Sequence, residues 1–149
     1  MKIFNQLKKI TPRHIWSYLV RFENIESFSF NSSEKVSEHI QRNFDFDGDL
    51  LDIFANNSGS VIHKWHHYIP IYDELFYKFR NTQVRVLEIG VGKGGSLKMW
   101  REYFGHNAII FGVDVDESCL EQDGRFGSVR IGNQCDKLFL NQIILEMGG

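Results

Sequence analysis

Glu88, Gly90, Gly92, Gly94 and Asp114 are the residues of this chain whose types and spacing are suited to chemistry. The first four lie in Val84-Arg85-Val86-Leu87-Glu88-Ile89-Gly90-Val91-Gly92-Lys93-Gly94-Gly95-Ser96, an apolar run that enters a glycine-rich turn. Helix-forming sequence follows from Ser96 to Phe104. A turn of this kind lets backbone approach a ligand closely and aims the N–H groups of a helix start at it. Glu88 places a carboxylate at the end of the strand, beside that ligand. A carboxylate there suits a cationic or hydroxyl-bearing ligand and repels a bare pyrophosphate. Gly90-x-Gly92-x-x-Gly95 also satisfies the dinucleotide fingerprint, with Asp114 at the expected distance of about 20 residues. On the glycines alone, an NAD-type ligand and a different nucleoside ligand stand level.

The elements that must position these residues follow from the periodicity. Val84 to Ile89 reads as a buried strand, Ser96 to Phe104 as a helix stopped by Gly105, and Ala108 to Val113 as a second buried strand ending at Asp114. A short helical piece over Glu117 to Gln122 precedes a third strand, Ser128 to Ile131. A helix over Asp136 to Met147 follows, capped by Asp136 and ended by Gly148. This alternation predicts an α/β fold, a Rossmann-like doubly wound parallel sheet with right-handed crossovers. About three strands are present, so the sheet is incomplete. The first strand would be an edge with buried-type sequence on both faces, a liability that a longer chain or a partner is expected to cover.

Upstream, the domain reading is an N-terminal helical and irregular segment over 1–60 and a partial Rossmann-like domain over 61–149. Asn31-Ser32-Ser33 predicts a helix start before Glu34 to Arg42, and Asp45 to Asn57 reads as irregular around an apolar patch at Leu50 to Phe54. Trp65, Tyr68, Ile69, Tyr72, Leu75, Phe76 and Phe79 form a helical stripe over 64–80, bent at Pro70. Residues 1–22 hold Lys2, Lys8, Lys9, Arg13 and Arg21 with no acid, and Ile3, Phe4, Leu7 and Ile10 recur at helical spacing. Such a helix fits a membrane surface, its own domain or a second subunit, and Pro12 interrupts the pattern.

The 149 residues suffice for one domain with a real core, and the 42% hydrophobic and 24% charged content is that of a globular protein. A net charge of −2 makes no electrostatic case for nucleic acid. Cys119 and Cys135 have no metal or redox spacing and read as free thiols, and no apolar run is long enough to span a bilayer. A cytoplasmic location and no transmembrane segment are the expectation.

Other clusters read as structural. His63, His66 and His67 lack a third ligand at metal spacing, so no metal site is expected there. Asp45-Phe46-Asp47-Gly48-Asp49 has its glycine in the wrong place for a calcium loop and reads as a polar loop. Trp100, Tyr103 and Phe104 read as core, and Arg101 and Glu102 as a solvated face.

Residues 61–149 resemble the N-terminal half of class I S-adenosylmethionine-dependent methyltransferases. Glu88-Ile89-Gly90-Val91-Gly92-Lys93-Gly94 matches the first motif of that fold and Gly112-Val113-Asp114 the second. The longer string from Leu87 to Phe104, with His63-Lys64-Trp65 and His67-Tyr68 before it, is similar to the branch of sugar and macrolide O-methyltransferases and cephalosporin-hydroxylase-like proteins. The resemblance implies S-adenosylmethionine as cofactor and methyl transfer to a hydroxyl of a sugar or small natural product. It implies a methionine-side lining by Glu88, Gly90, Gly92 and Gly94, ribose hydroxyls on Asp114, and Lys64 and Tyr68 closing over the cofactor carboxylate. Asn133 stands where the family often has an acid for the adenine amine. The Asp-Asp stretch and His that this branch uses for a divalent metal such as Mg2+ and for proton removal do not occur in the sequence, so the catalytic base is unknown. An NAD-dependent oxidoreductase and a non-catalytic, truncated cofactor-binding module are the alternatives, and a homo-oligomer is compatible with each.

Overall fold

Short, largely continuous apolar runs between Val84 and Ile131 build a parallel sheet, the pattern of strands covered by helices on both faces. The computed structural model describes residues 35–149. Strands β1 (Arg85–Ile89), β2 (Ile109–Asp114) and β3 (Ser128–Ile131) pair in the order β1-β2-β3, all parallel. The register sets Glu88 beside Gly112 and Ile89 beside Val113, and Asp114 beside Ile131. β1 is therefore an edge among the described residues, with Ile89 46% exposed.

Among the described residues, five α-helices accompany the sheet: α1 (Val36–Phe44), α2 (Asp49–Ala55), α3 (Tyr68–Phe76), α4 (Gly95–Phe104) and α5 (Lys137–Glu146). The period of two divides the strands between two cores. Val84, Val86, Ile110 and Val129 join Ile40, Leu50, Leu51, Ile62, Ile69, Leu97, Trp100, Tyr103 and Phe104 on the α1–α4 side. Leu87, Ile109, Phe111 and Val113 meet Phe139 and Ile143 of α5, and Met147 at its C-terminal cap, on the other. α5 starts as the sequence predicts, with the Asp136 side chain accepting from the N–H groups of Leu138 and Phe139. The short piece after β2 is a 3₁₀ segment, Glu117–Gln122.

Several expectations are corrected. Asp45 to Asn57 is not irregular: Asp49–Ala55 is helical and buries Leu50 and Leu51 completely. Seven residues are too few for a periodic signal, and burial of two adjacent leucines rather than helix propensity decides the conformation. Asp49 of the supposed polar loop starts that helix and pairs with Arg80. The aromatic stripe is helical from Tyr68, not from 64, and Pro70 causes no bend because it lies in the first turn, where its missing N–H is not needed. Arg101 is not on a solvated face. Its Nε donates to Phe126 O (2.9 Å) and its Nη1 lies 3.0, 3.1 and 2.8 Å from the carbonyls of Gly105, His106 and Ala108. Glu102 is exposed as expected.

The predicted helix over Glu34 to Arg42 appears as α1, two residues later, without a side-chain cap. The expectations for 1–22 and for Asn31-Ser32-Ser33 lie outside the described residues. Helices α1 and α2, placed by the sequence reading in a separate segment, share one compact unit, Lys35–Gly149, with the sheet. No helix among the described residues is long and apolar enough to cross a membrane.

Candidate functional site

The glycine turn leaves β1 while still on the ladder, with Gly90 N–H donating to Val113 O at 2.8 Å. It closes on itself through Gly94 N–H to Val91 O at 3.0 Å and then opens α4. Gly92 has a φ of 52° and no atom within 4 Å of where a Cβ would stand, and the same space is open at Gly90. These two α-carbons face a void, which is what a turn that receives a ligand requires. Gly94 differs: a Cβ there would lie 2.8 Å from Gln122 Oε1. Its φ of 75°, more than the space around it, calls for glycine.

A strap over 58–65 forms the second wall. Lys98 Nζ donates to Ser58 O (2.8 Å), Asn57 Nδ2 to Ser60 O (3.0 Å), and a Cβ at Gly95 would overlap Val61 O. Ile62 is buried and Lys64 turns inward, while Val61 and Trp65 are 63% and 65% exposed. Lys64 Nζ reaches Glu88 Oε1 at 2.7 Å, with side chains 17% and 8% exposed. Glu88 Oε2 is buried and has no hydrogen-bond partner. A carboxylate oxygen left bare at that depth costs stability, on the order of 1–3 kcal/mol, and is an acceptor waiting for a donor.

Asp114 is held at the end of β2. Its Oδ2 accepts from Val91 N–H (2.8 Å) and Gly92 N–H (3.2 Å), and its Oδ1 from Asp116 N–H (3.1 Å). These donors, led by Asp116 and opposed by partial burial, lower its pKa to about 2. It is a fixed anion at neutral pH, with the outer lone pairs of Oδ1 left for a ligand hydroxyl.

Asn133 follows β3, where Gly132 N–H donates to Asp114 O (2.8 Å). Its side-chain oxygen already accepts from Cys135 N–H (2.8 Å) and the residue is exposed. Tyr68 is 37% exposed and its ring meets His67 and Tyr72, at centroid distances of 4.6 and 5.5 Å. Tyr72, one turn further, lines a cleft of about 510 Å³ along β1 together with Lys64, Glu88, Phe76 and Trp100. Burial raises the Tyr72 pKa, partly offset by the nearby Lys64 charge. The sequence reading counted Tyr72 only as part of an apolar stripe; its i+4 spacing from Tyr68 was the available signal. Cys119 and Gln122, beneath the turn, were also missed. His66 faces His39, Nδ1 to Nδ1 at 3.1 Å, and among the described residues no cluster of three or more metal-ligating side chains occurs.

No protein-family model matches the chain. The chain is 37% identical over 95 residues to demethylmacrocin O-methyltransferase of Streptomyces fradiae, covering 57% of this chain and 24% of that protein. It is 37% identical over 108 residues to 8-demethyl-8-(2-methoxy-alpha-L-rhamnosyl)-tetracenomycin-C 3'-O-methyltransferase of Streptomyces olivaceus, covering 68% and 27%. Mycinamicin VI 2''-O-methyltransferase of Micromonospora griseorubida is 39% identical over 90 residues, covering 56% and 22%. The MycE methyltransferase of the mycinamycin pathway, solved in complex with Mg and SAH, superposes with a TM-score of 0.53 at 34% identity, over 68% of this chain and 25% of that one. The chain thus spans about a quarter of the length of the curated relatives it matches. In sequence and in fold, this chain is similar to O-methyltransferases named for demethylmacrocin, tetracenomycin and mycinamicin substrates.

Proposed function

We propose that this chain is the cofactor-binding half of an S-adenosylmethionine-dependent methyltransferase whose acceptor is a hydroxyl of a sugar or small natural product. The observation that carries the reading is the buried, unpartnered Glu88 Oε2 beside the open α-carbons of Gly90 and Gly92. An orphaned carboxylate oxygen fits the ammonium of an amino-acid moiety, and a second carboxylate at the end of the next strand, Asp114, fits a ribose. Lys64, already on Glu88, stands where a ligand carboxylate would pair with it, with Tyr68 and Tyr72 on the helix behind. Asn133 lies near the end of β3, where the adenine edge would come, and Gly94 supports the turn from which these groups project.

When bound, the sulfonium of the cofactor supplies an electrophilic methyl group. The chain's own residues bind and orient that donor, so the rate they contribute is one of alignment. The MycE structure contains Mg; a divalent ion used by the present protein would be held through residues absent from this chain. We place the protein in the cytoplasm, with Cys119 and Cys135 as free thiols, and a homo-oligomer is compatible with the reading.

Isothermal titration of the chain with S-adenosylhomocysteine, with NAD as the parallel titrant, tests the reading. Binding of S-adenosylhomocysteine alone is the expected result; binding of NAD alone would move the chain to the oxidoreductases. Gly92→Val is expected to abolish binding. A β-branched residue at a φ of 52° is strained by about 1–3 kcal/mol, and its side chain would project into the ligand's void. Normal affinity in that variant would mean that the ligand does not touch the turn.

A further inference from the structure

The glycine turn rests on the 3₁₀ segment after β2, through side chains that the donor site described above does not use. The segment is pinned at its start, where the Asp116 side chain accepts from Ser118 N–H at 2.9 Å. Cys119, 2% exposed, then places Sγ 3.4 Å from Gly92 O and within hydrogen-bonding reach of the Asp114 carboxylate. One turn on, Gln122, 8% exposed, lies against the α-carbon of Gly94. Cys119 thus touches both partners of the contact that shapes the site, the glycine turn and the acid that its amides bind.

We propose that Cys119 is a positioning residue for the donor site, holding the Gly92 carbonyl so that the turn keeps the N–H groups of Val91 and Gly92 on Asp114 while the α-carbons of Gly90 and Gly92 stay open to the ligand. Two successive peptide planes meet at the Gly92 α-carbon. Asp114 anchors the N–H of the first, and the thiol donates to the carbonyl of the second. With both planes held, rotation about the two backbone bonds of Gly92 is restricted, which keeps its α-carbon turned to the void. Burial pushes the Cys119 thiol up, so it remains an S–H donor at neutral pH rather than a nucleophile. A buried thiol is also small and apolar enough to lie beneath the turn.

The identity of the ligand rests on the methyltransferase reading, whereas the positioning of the turn does not, so the test has two arms. In the full chain, amide hydrogen exchange is followed at Val91 and Gly92, with Ile110 and Phe111 of β2 as internal controls. Cys119→Ala and the slightly larger, donor-free Cys119→Val are expected to speed exchange at Val91 and Gly92 by about fivefold, the worth of one weak hydrogen bond, and to leave the β2 amides unchanged. Cys119→Ser retains a donor and is expected to stay within about twofold of the parent chain. The valine variant serves if the alanine variant does not fold.

In the second arm, titration with S-adenosylhomocysteine is expected to show affinity reduced about fivefold in the alanine and valine variants and restored by serine. Equal acceleration across turn and β2 would reduce Cys119 to a packing residue, and unchanged exchange at Val91 and Gly92 would overturn the proposal. A parent chain that does not bind S-adenosylhomocysteine would sink the methyltransferase reading and leave the exchange arm to decide the role of Cys119.

Discussion

Asp114→Ala is expected to weaken S-adenosylhomocysteine binding by roughly tenfold or more, because it removes a charge-assisted acceptor and the anchor of the turn together. Three backbone N–H groups, those of Val91, Gly92 and Asp116, lose their acceptor at once. The site is partly exposed, so water replaces some of these bonds and the stability loss is expected at about 1–2 kcal/mol. Asp114→Asn keeps the shape and one good acceptor and should recover part of the loss. Titration of the three forms checks the assignment; parent-like affinity in the alanine variant would remove the ribose from Asp114.

The same carboxylate predicts a pH dependence. Its folded pKa, about 2, lies below the ordinary aspartate value of 3.8, so its contribution to stability is fully present above the unfolded value. It is lost as pH falls through the window between those two values. The urea-unfolding difference between the parent chain and Asp114→Asn is therefore expected to be constant near about pH 6 and to shrink below about pH 4. A difference that persists unchanged at about pH 2 would show that the charge of Asp114 is not what holds the turn.

Arg101→Ala is expected to have the largest effect on stability, about 3 kcal/mol, or roughly 10 °C in Tm for a chain of this size. One guanidinium closes the corner between α4 and β2 and ties it to the residues before β3, through the carbonyls of Gly105, His106, Ala108 and Phe126. Those of Ala108 and Phe126 are in part-buried bonds, where water is a poor substitute. Lysine at this position keeps the charge but has one nitrogen in place of the planar fork, so Arg101→Lys should recover only a minor part. Thermal unfolding of the three forms is the measurement, and a loss below about 1 kcal/mol for alanine would mean the carbonyls are solvated without penalty. The donor site lies at the other end of α4, so S-adenosylhomocysteine affinity of the folded variant is expected to be unchanged.

The boundaries of the α/β unit were legible because its elements carry local signals. β3 is Ser128–Ile131 as read, β1 and β2 each begin one residue later, and α4 begins one residue earlier, at Gly95. Asp136 caps α5 by its own side chain, a purely local interaction. The second helix was illegible for the opposite reason. Asp49–Ala55 contains no capping side chain in use and too few turns for periodicity, so only the pocket that receives Leu50 and Leu51 makes it a helix. Arg101 was misread because a charged residue beside the exposed Glu102 looks the same in sequence whether it faces water or a ring of carbonyls.

What the sequence by itself determined was the chemistry on offer. Glu88, the open glycines and Asp114 sit at strand ends separated by a crossover, and a parallel βαβ unit brings such ends side by side whatever else the chain does. What only the tertiary structure decided was how those groups are held. The pairing of Lys64 with Glu88, the bare Glu88 Oε2, the loop amides on Asp114 and the seating of Cys119 beneath Gly92 all join residues 20 or more positions apart, apart from the neighbours Asp114 and Asp116. Contacts across such separations depend on the path of the chain between them, and no period or local motif encodes that path.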